Sequence, residues 1–204
     1  MSLEFELEPT YTYNEYLLNP PQREQPYELI NGKIIEMPPE SYINVQIALK
    51  LLQILATEFG IERISNKAEI ITGGSKVTSR IPDLVVFDLR GIEEIEQKNT
   101  STIDLDMLPP LLAVEVVSPG KEASDRDYRF KRSEYAARGI RYYWIIDPQK
   151  KTATFLELDL GAYETVRVAS SGIVSVECSE PLTSGNMLHC IKVNLDDFWF
   201  SCSD

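Results

Sequence analysis

The chain of 204 residues has little of what several common chemistries require. It has one histidine, His189, and three cysteines, Cys178, Cys190 and Cys202, with no C-x-x-C pair. A zinc site needs more ligands than His189 and Cys190 provide. One histidine near the C-terminus is also weak support for a Ser-His-Asp or Cys-His catalytic arrangement. The odd cysteine count favours free thiols and a reducing, cytoplasmic location.

Long apolar runs and phosphate-binding loops are also missing. The longest apolar runs are about seven residues, far short of the ~20 that span a bilayer, so no membrane association is expected. The segment Met1–Glu6 has no basic residues, which argues against a secretory signal. Neither G-x-x-x-x-G-K-[ST] nor G-x-G-x-x-G occurs, so nucleotide binding of those types has no support. With 43% hydrophobic residues, the chain is expected to form one domain over residues 1–204.

Negative charge dominates the chain but is unevenly distributed. Twenty basic and 32 acidic residues give a net charge of −12, which argues against tight, non-specific binding to nucleic acid. Between Lys121 and Arg141, however, seven basic residues face four acidic ones, a local charge of +3. The segment Gly91–Leu108 is acidic. The ordinary interpretation of such runs is a solvated face.

Caps and turns divide the chain into alternating helices and strands, which predicts an α/β fold: a mixed β-sheet flanked by helices, with additional N- and C-terminal β-hairpins. Thr12 caps a short helix through Leu18, and Asn31-Gly32 suits a type I′ hairpin. A helix is predicted over Tyr42–Phe59, and its helically spaced apolar residues are Val45, Leu49, Leu52, Leu55, Ala56 and Phe59. Further strands are predicted at Tyr27–Ile30, Lys33–Met37, Ile61–Ile64, Ala68–Ile71, Tyr142–Pro148, Thr152–Leu158, Tyr163–Ala169, Ile173–Glu177 and Ile191–Phe200.

Two apolar strands each carry one carboxylate. The strand Ile81–Phe87 opens with Asp83, and the strand Leu111–Val117 has Glu115 at its centre. Runs this apolar are typical of strands covered on both faces, so Glu115 is expected to be buried. A buried carboxylate costs several kcal/mol unless it is paired, protonated or bound to a cation. Both acids are therefore candidate site residues.

A lysine on the next helix is a candidate partner for these acids. The helix is predicted over Ser124–Arg138 and ends at Gly139. At 100° per residue, one arc of roughly 80° holds Ser124, Tyr128, Lys131, Tyr135 and Gly139. This face would direct Lys131 toward Glu115; alternatively, the lysine extends past the tyrosines to water. Phe130 and Ala137 lie on the side opposite this arc. A helix that is buried on two faces is therefore an open alternative.

The ordered set of motifs resembles a known group of nucleases. Pro82-Asp83 followed by Glu115-Val116-Val117 resembles the PD-(D/E)XK superfamily, although Val117 stands where its motif has lysine. The wider pattern is similar to the Uma2 (DUF820) family of endonucleases, abundant in cyanobacteria, and covers about 120 of the 204 residues. It consists of Tyr27–Gly32, Pro82–Val86, Pro110, Glu115–Pro119, Asp125, Lys131, Tyr135, Gly139 and Tyr143–Pro148.

The resemblance implies a restriction-endonuclease-like core, a homodimer and a set of site residues. In the family, a helix lysine is thought to replace the missing strand lysine, and Lys131 matches that position. Glu28 matches a position that often supplies a further carboxylate; alternatively, it is a solvent-facing strand residue. The family often has a histidine at the start of its long helix, and Ser41–Asn44 has none. Ser118 is either a helper or a turn residue, and Tyr143 and Trp144 are expected in the core.

These residues together favour phosphodiester hydrolysis. Asp83, Glu115 and the Val116 carbonyl are hard oxygen ligands suited to Mg²⁺ or Mn²⁺, and Lys131 could orient water or stabilise charge on the phosphate. Glycoside hydrolysis by two carboxylates is less favoured, because the chain has a lysine among the candidates and no obvious aromatic sugar platform. The sequence therefore predicts a metal-dependent endonuclease, with DNA as the expected substrate. The alternative is an inactive nucleic-acid-binding or protein-interaction module that retains the fold, favoured by the −12 charge and Val117.

Overall fold

The computed structural model describes residues 10–73 and 75–199, so Met1–Glu6, Cys202 and the final residue of the predicted strand Ile191–Phe200 lie outside it. Its helices are Tyr13–Leu18 (α1), Tyr42–Phe59 (α2), Ile92–Lys98 (α3), Lys121–Asp125 (α4) and Arg132–Arg138 (α5), with a π-helical segment at Arg126–Lys131. The strands are Tyr27–Ile30 (β1), Lys33–Glu36 (β2), Ile64–Ser65 (β3), Glu69–Gly73 (β4), Thr78–Arg80 (β5), Leu84–Val86 (β6), Thr102–Ile103 (β7), Leu112–Val116 (β8), Tyr142–Asp147 (β9), Thr152–Asp159 (β10), Ala162–Ala169 (β11), Ile173–Leu182 (β12) and Gly185–Asn194 (β13).

A six-stranded mixed sheet is the centre of the fold, with the order β11-β10-β9-β8-β6-β3. Strands β8 and β9 are parallel, whereas β6 and β8 are antiparallel neighbours. A five-stranded sheet, β2-β1-β5-β4-β7, and the hairpin β12-β13 complete the described strands. The predicted α/β class with terminal hairpins is confirmed. The strands form three sheets, however, because the N-terminal hairpin pairs with β5 instead of extending the central sheet.

The two faces of the central sheet bury different partners because successive strand residues point to opposite sides. One face, including Val114, Val116 and Trp144, packs in a core with residues of α2 and of the hairpin β12-β13. The other face, including Val117 and Tyr143, packs with Tyr135 of α5. Both Tyr143 and Trp144 are fully buried, which confirms their predicted core positions.

Helix α2 has the predicted bounds but a different inward face. Its buried residues include Ile47, Leu51 and Leu55, whereas Val45 and Leu49 are exposed. Of the apolar residues whose spacing predicted the helix, Leu55 and Phe59 are buried, so the spacing predicted the helix correctly but did not by itself define its buried face. The predicted strand Ile61–Ile64 is also wrong. A 3-10 turn covers Ile61–Arg63, and the strand begins only at Ile64. The acidic connection Gly91–Leu108 contains α3 and β7.

The helical segment after β8 begins earlier and is less regular than predicted. It starts at Lys121, passes through the π-helical turn and ends at Gly139, whose φ of 84° favours glycine. Its buried side chains are Asp127, Lys131 and Tyr135, spaced four residues apart. Phe130 and Ala137, on the opposite side, are exposed, so the segment buries a single face. The predicted arc included Ser124 and Tyr128, which are only half-buried, and missed Asp127.

Candidate functional site

Asp83 and Glu115 are brought together by strand pairing. In the antiparallel register of β6 and β8, Leu84 lies opposite Val114, so continuing that register by one residue places Asp83 opposite Glu115. The Val116 N–H donates to Asp83 Oδ2 at 2.6 Å. Glu115 is 4% exposed. The two carboxylates predicted to share a site are therefore neighbours at the end of β6.

Lys131 reaches this pair from the π-helical segment. Its Nζ lies 2.8 Å from Glu115 Oε2, 3.4 Å from Asp127 Oδ1 and 3.6 Å from Glu28 Oε1. The Lys131 side chain is only 2% exposed. The alternative in which Lys131 extends to water is wrong, and so is a solvent-facing Glu28, which is 3% exposed. One buried ammonium thus lies among three carboxylates.

Two tyrosines hold the site in place: Tyr135 contacts the Glu115 carboxylate, and Tyr143 contacts the backbone of the helical segment. The Tyr135 hydroxyl donates to Glu115 Oε1 at 2.7 Å, and the Tyr143 hydroxyl donates to the Asp127 carbonyl at 2.9 Å. The rings of Tyr135 and Tyr143 pack edge to face, with centroids 5.1 Å apart. With Lys131 on Oε2, both carboxylate oxygens of Glu115 are bound, so the side chain has little freedom to rotate.

Arg80 ties Glu28 to the helical segment. Glu28 accepts from Arg80 Nη1 at 2.8 Å and from the Ile81 N–H at 3.1 Å. Arg80 also forms a two-bond pair with Glu134, at 2.6 and 2.9 Å. Burial raises the pKa of Glu28, but Lys131 and Arg80 outweigh burial and hold that pKa below its usual range. Glu28 is consequently a charged anchor between the first hairpin, β5 and α5.

The central acids have the opposite pKa shift. Burial raises the pKa of Asp83 to about 7, against the lowering effects of the Val116 N–H and the Lys131 ammonium. Burial raises the pKa of Glu115 to about 8, with Lys131 lowering it and Asp127 and Asp83 raising it further. Burial lowers the pKa of Lys131, but Glu115 and the neighbouring carboxylates outweigh burial and raise it overall. The lysine therefore keeps its proton, and Asp83 and Glu115 hold their protons more tightly than exposed carboxyl groups do.

The oxygen donors of this site suit a hard divalent cation. Among residues 10–73 and 75–199, no group of three or more His, Cys, Asp or Glu side chains is placed to hold a metal. The site offers two carboxylates, Asp83 and Glu115, together with the Val116 carbonyl, and such oxygens are the ligands of Mg²⁺ and Mn²⁺. A cation would also favour the ionised form of two acids whose pKa values are raised. The donor set fits the predicted ion, with water and phosphate as the remaining ligands.

Three polar side chains beside the site, those of Asn44, Glu40 and Asp127, were not predicted. Asn44, in the first turn of α2, has its Nδ2 3.3 Å from the Val116 carbonyl, 3.0 Å from Glu40 Oε2 and 3.4 Å from Ser118 Oγ. Ser118 Oγ also lies 3.3 Å from Glu40 Oε1. The sequence signal for Asn44 was a polar residue in an otherwise apolar helix. The sequence signal for Asp127 was its position four residues before Lys131, which places both on one face of a helix. Glu40 lies in a loop, where no sequence pattern pointed to it.

Two openings lie on either side of Ser118 and Glu40. A cleft of about 890 Å³ is lined by residues that include Arg80, Ser118 and Phe130. A groove of about 220 Å³ is lined by Glu40, Asp83 and apolar side chains of α2. Asp83 is thus reached from the groove, while the cleft follows the helical segment that carries Lys131. No helix in the described part of the chain is both long and apolar enough to cross a membrane.

The sequence matches a protein-family model, and the fold resembles that of a solved structure. Residues 13–185 match the model of the Uma2 family, described as "Putative restriction endonuclease". The fold is similar to a crystal structure at 1.96 Å resolution of "a putative nuclease belonging to DUF820" from Anabaena variabilis, with a TM-score of 0.65 and 19% identity. That match covers 93% of this chain and 97% of the other. No curated protein matches the sequence. The structural similarity agrees with the predicted restriction-endonuclease-like fold.

Proposed function

The chain belongs to the Uma2 family, and from this membership we propose that it is a metal-dependent endonuclease that hydrolyses phosphodiester bonds in DNA. The observation that carries the proposal is the meeting of Asp83 and Glu115 on adjacent strands, with the ammonium of Lys131 2.8 Å from Glu115. Asp83 directly precedes β6, Glu115 lies in β8 and Lys131 in the π-helical segment. Burying so many ionisable groups together is costly, which is typical of functional sites.

Each group has a proposed part in the reaction. Asp83, Glu115 and the Val116 carbonyl would hold Mg²⁺ or Mn²⁺, which when bound polarises a phosphate and lowers the pKa of a coordinated water. Lys131 stays protonated and would orient the attacking water or stabilise the charge that develops on the phosphate. Tyr135 holds Glu115 in one orientation through its 2.7 Å hydrogen bond. Glu28 would be a positioning residue, because its carboxylate contacts Lys131 and Arg80 and helps to hold the lysine in place.

A second candidate is an inactive module that retains the fold and binds nucleic acid or a protein. It is favoured by the contacts of Glu115, whose two oxygens are bound by Lys131 and Tyr135. With both Glu115 oxygens bound, a cation would have to displace Lys131 or Tyr135, or share an oxygen with one of them. The net charge of −12 also favours weak binding to nucleic acid.

A cleavage assay separates the two candidates. The protein is incubated with supercoiled, linear and single-stranded DNA in Mg²⁺ or Mn²⁺, and parallel reactions contain a chelator. We expect the wild type to cleave only with metal and Glu115→Gln to be inactive, whereas Glu164→Gln, at an exposed carboxylate on β11, cleaves normally. Equal cleavage by the wild type and Glu115→Gln would contradict the proposed site. An inactive wild type that still binds DNA would favour the second candidate.

A further inference from the structure

The cleft beside the site is lined in part by an exposed aromatic side chain. Phe130 is 57% exposed and lines the 890 Å³ cleft together with Arg126 and Glu134. These three residues repeat every four positions along the helical segment. Each stands immediately before a buried residue of the inward face, namely Asp127, Lys131 or Tyr135. One helical segment therefore presents charges to the acidic site on one side and Phe130 to the cleft on the other.

Few cations in the cleft are available to phosphate. Arg80 is bound by Glu28 and Glu134, and Arg126 Nε lies 3.4 Å from Asp127 Oδ1. Lys121 is exposed, and no ion pair to it is found within the described ranges. A duplex presents phosphates on both strands, and its binding depends on neutralising many of them. This cleft has too few free cations for that mode of binding.

We propose that the cleft binds an unpaired segment of nucleic acid, with Phe130 stacking on a base and Lys121 contacting the backbone. The inference rests on the proposed nuclease function and names its substrate as single-stranded nucleic acid or a single-stranded region of a larger substrate. Bases inside a duplex are already stacked on each other, so an exposed aromatic ring can stack only on an unpaired base. Stacking also supplies affinity without further positive charge, as a chain with a net charge of −12 requires.

The route from the cleft to the acids is short along the chain. Ser118 lines the cleft and contacts Glu40, which lines the groove containing Asp83. Pro38, on the cleft, and Met37, on the groove, are consecutive residues. A strand held in the cleft by Phe130 would pass over this boundary toward Asp83. The cleft and the groove thus adjoin at this boundary, which a strand bound as proposed would cross.

The test measures binding without requiring cleavage. Glu115→Gln serves as the background, so the substrate stays intact, and a short oligonucleotide carrying 2-aminopurine reports stacking by fluorescence quenching. We expect the single strand to bind more tightly than the matching duplex. Replacing Phe130 by Leu should raise Kd about 5- to 150-fold, equivalent to the ~1–3 kcal/mol of a stacked base. Phe130→Trp should keep both the affinity and the fluorescence quenching, because it retains an aromatic ring. A contact that depended only on apolar area would not need that ring.

The controls distinguish this inference from the proposed function. Leu188→Ala, at a similarly exposed apolar residue on β13, should leave Kd unchanged, and circular dichroism should show that Phe130→Leu is folded. Equal affinity of Phe130→Leu and its parent, tighter binding of the duplex, or no binding of the single strand overturns the inference. Metal-dependent cleavage that Phe130→Leu does not impair, in the otherwise wild-type protein, would keep the nuclease and reject the cleft. Phe130-dependent binding without any cleavage would keep the proposed cleft and reject the nuclease function.

Discussion

The ammonium of Lys131 lies 2.8 Å from a carboxylate oxygen of Glu115, although the two residues come from different elements. The neighbouring strand position that could have supplied a cation is Val117, two residues after Glu115 and thus on the same face of β8. Val117 is fully buried in the core that contains Tyr135. A lysine at this position would point to the same side of the sheet as Glu115, the side from which Lys131 approaches.

Replacing Lys131 by Ala should abolish most cleavage while metal binding persists, because the lysine acts on water or phosphate and not on the ion. The variant should also lose about 3–5 kcal/mol of stability, since it leaves Glu115, Glu28 and Asp127 buried without their shared cation. Urea unfolding and a cleavage assay measure the two effects. Adding Val117→Lys to this variant should restore part of the activity. Lys33→Ala, at an exposed lysine of β2, should change stability by less than about 0.5 kcal/mol.

Calorimetric titration of Mn²⁺ should show binding to the wild type and none to Glu115→Ala or Asp83→Asn. Both acids must ionise to bind metal, and their pKa values are raised to about 8 and about 7, respectively. Affinity should therefore increase with pH through this range, by up to about tenfold per pH unit for each acid that releases a proton. Equal Mn²⁺ binding by the wild type and both variants would reject the metal site.

Without metal, these two acids should make the fold less stable as pH rises. Their pKa values are raised in the folded state, so the folded chain binds protons more tightly than the unfolded chain does. The free energy of unfolding should therefore fall between about pH 4 and about pH 8, by at least about 1 kcal/mol from this source. Urea unfolding in a chelator, from acid to alkaline pH, measures the slope. Asp83→Asn and Glu115→Gln should each make the unfolding free energy depend less on pH. An unchanged slope in both variants would contradict the raised pKa values of these acids.

Binding of the whole chain to nucleic acid should be weak and should depend only shallowly on salt. If two phosphates are neutralised, the slope of log K against log salt is about −1.4 for a single strand. Protection mapping should place the footprint on Lys121–Arg141 and not on the acidic segment Gly91–Leu108. Lys121→Gln should reduce the slope by about 0.7, whereas Lys192→Gln, on the exposed side of β13, should not. A steep slope, or protection of Gly91–Leu108, would be inconsistent with this expectation.

Glu180 should be essential for attaching the C-terminal hairpin. It is fully buried and accepts from Arg63 at 2.5 Å and from the Leu89 N–H at 2.7 Å, and its Oε2 lies 3.3 Å from His189 Nε2. Glu180→Ala leaves Arg63 buried without its partner and should cost about 3–5 kcal/mol by urea unfolding. Glu177→Ala, at an exposed glutamate of the same strand, is the matched control. A loss below about 1 kcal/mol would show that the pair is not needed.

The local elements of this protein were determined by its sequence. Asn31 and Gly32 both have positive φ, at 51° and 78°, in the predicted hairpin turn. Thr12 caps α1 as predicted, and Gly139 ends the last helical segment. The two strands that carry Asp83 and Glu115 could also be located, because an apolar run interrupted by one acid is visible in the sequence alone. Each of these features depends on backbone preferences or side chains within a few residues.

Only the tertiary structure decided which distant groups meet. Glu28 and Arg80 join the acidic site through pairing of β1 with β5, and Asp127 joins it because packing directs Lys131, one turn later on the same face, to Glu115. The inward face of α2 was likewise chosen by the strands it packs on, since apolar residues surround the helix. A local pattern fixes the direction of a side chain relative to its own element, but its partners depend on how sheets and helices pack. The sequence therefore identified Asp83, Glu115, Lys131 and Glu28 as candidates, and packing placed Arg80, Asp127 and Tyr135 around them.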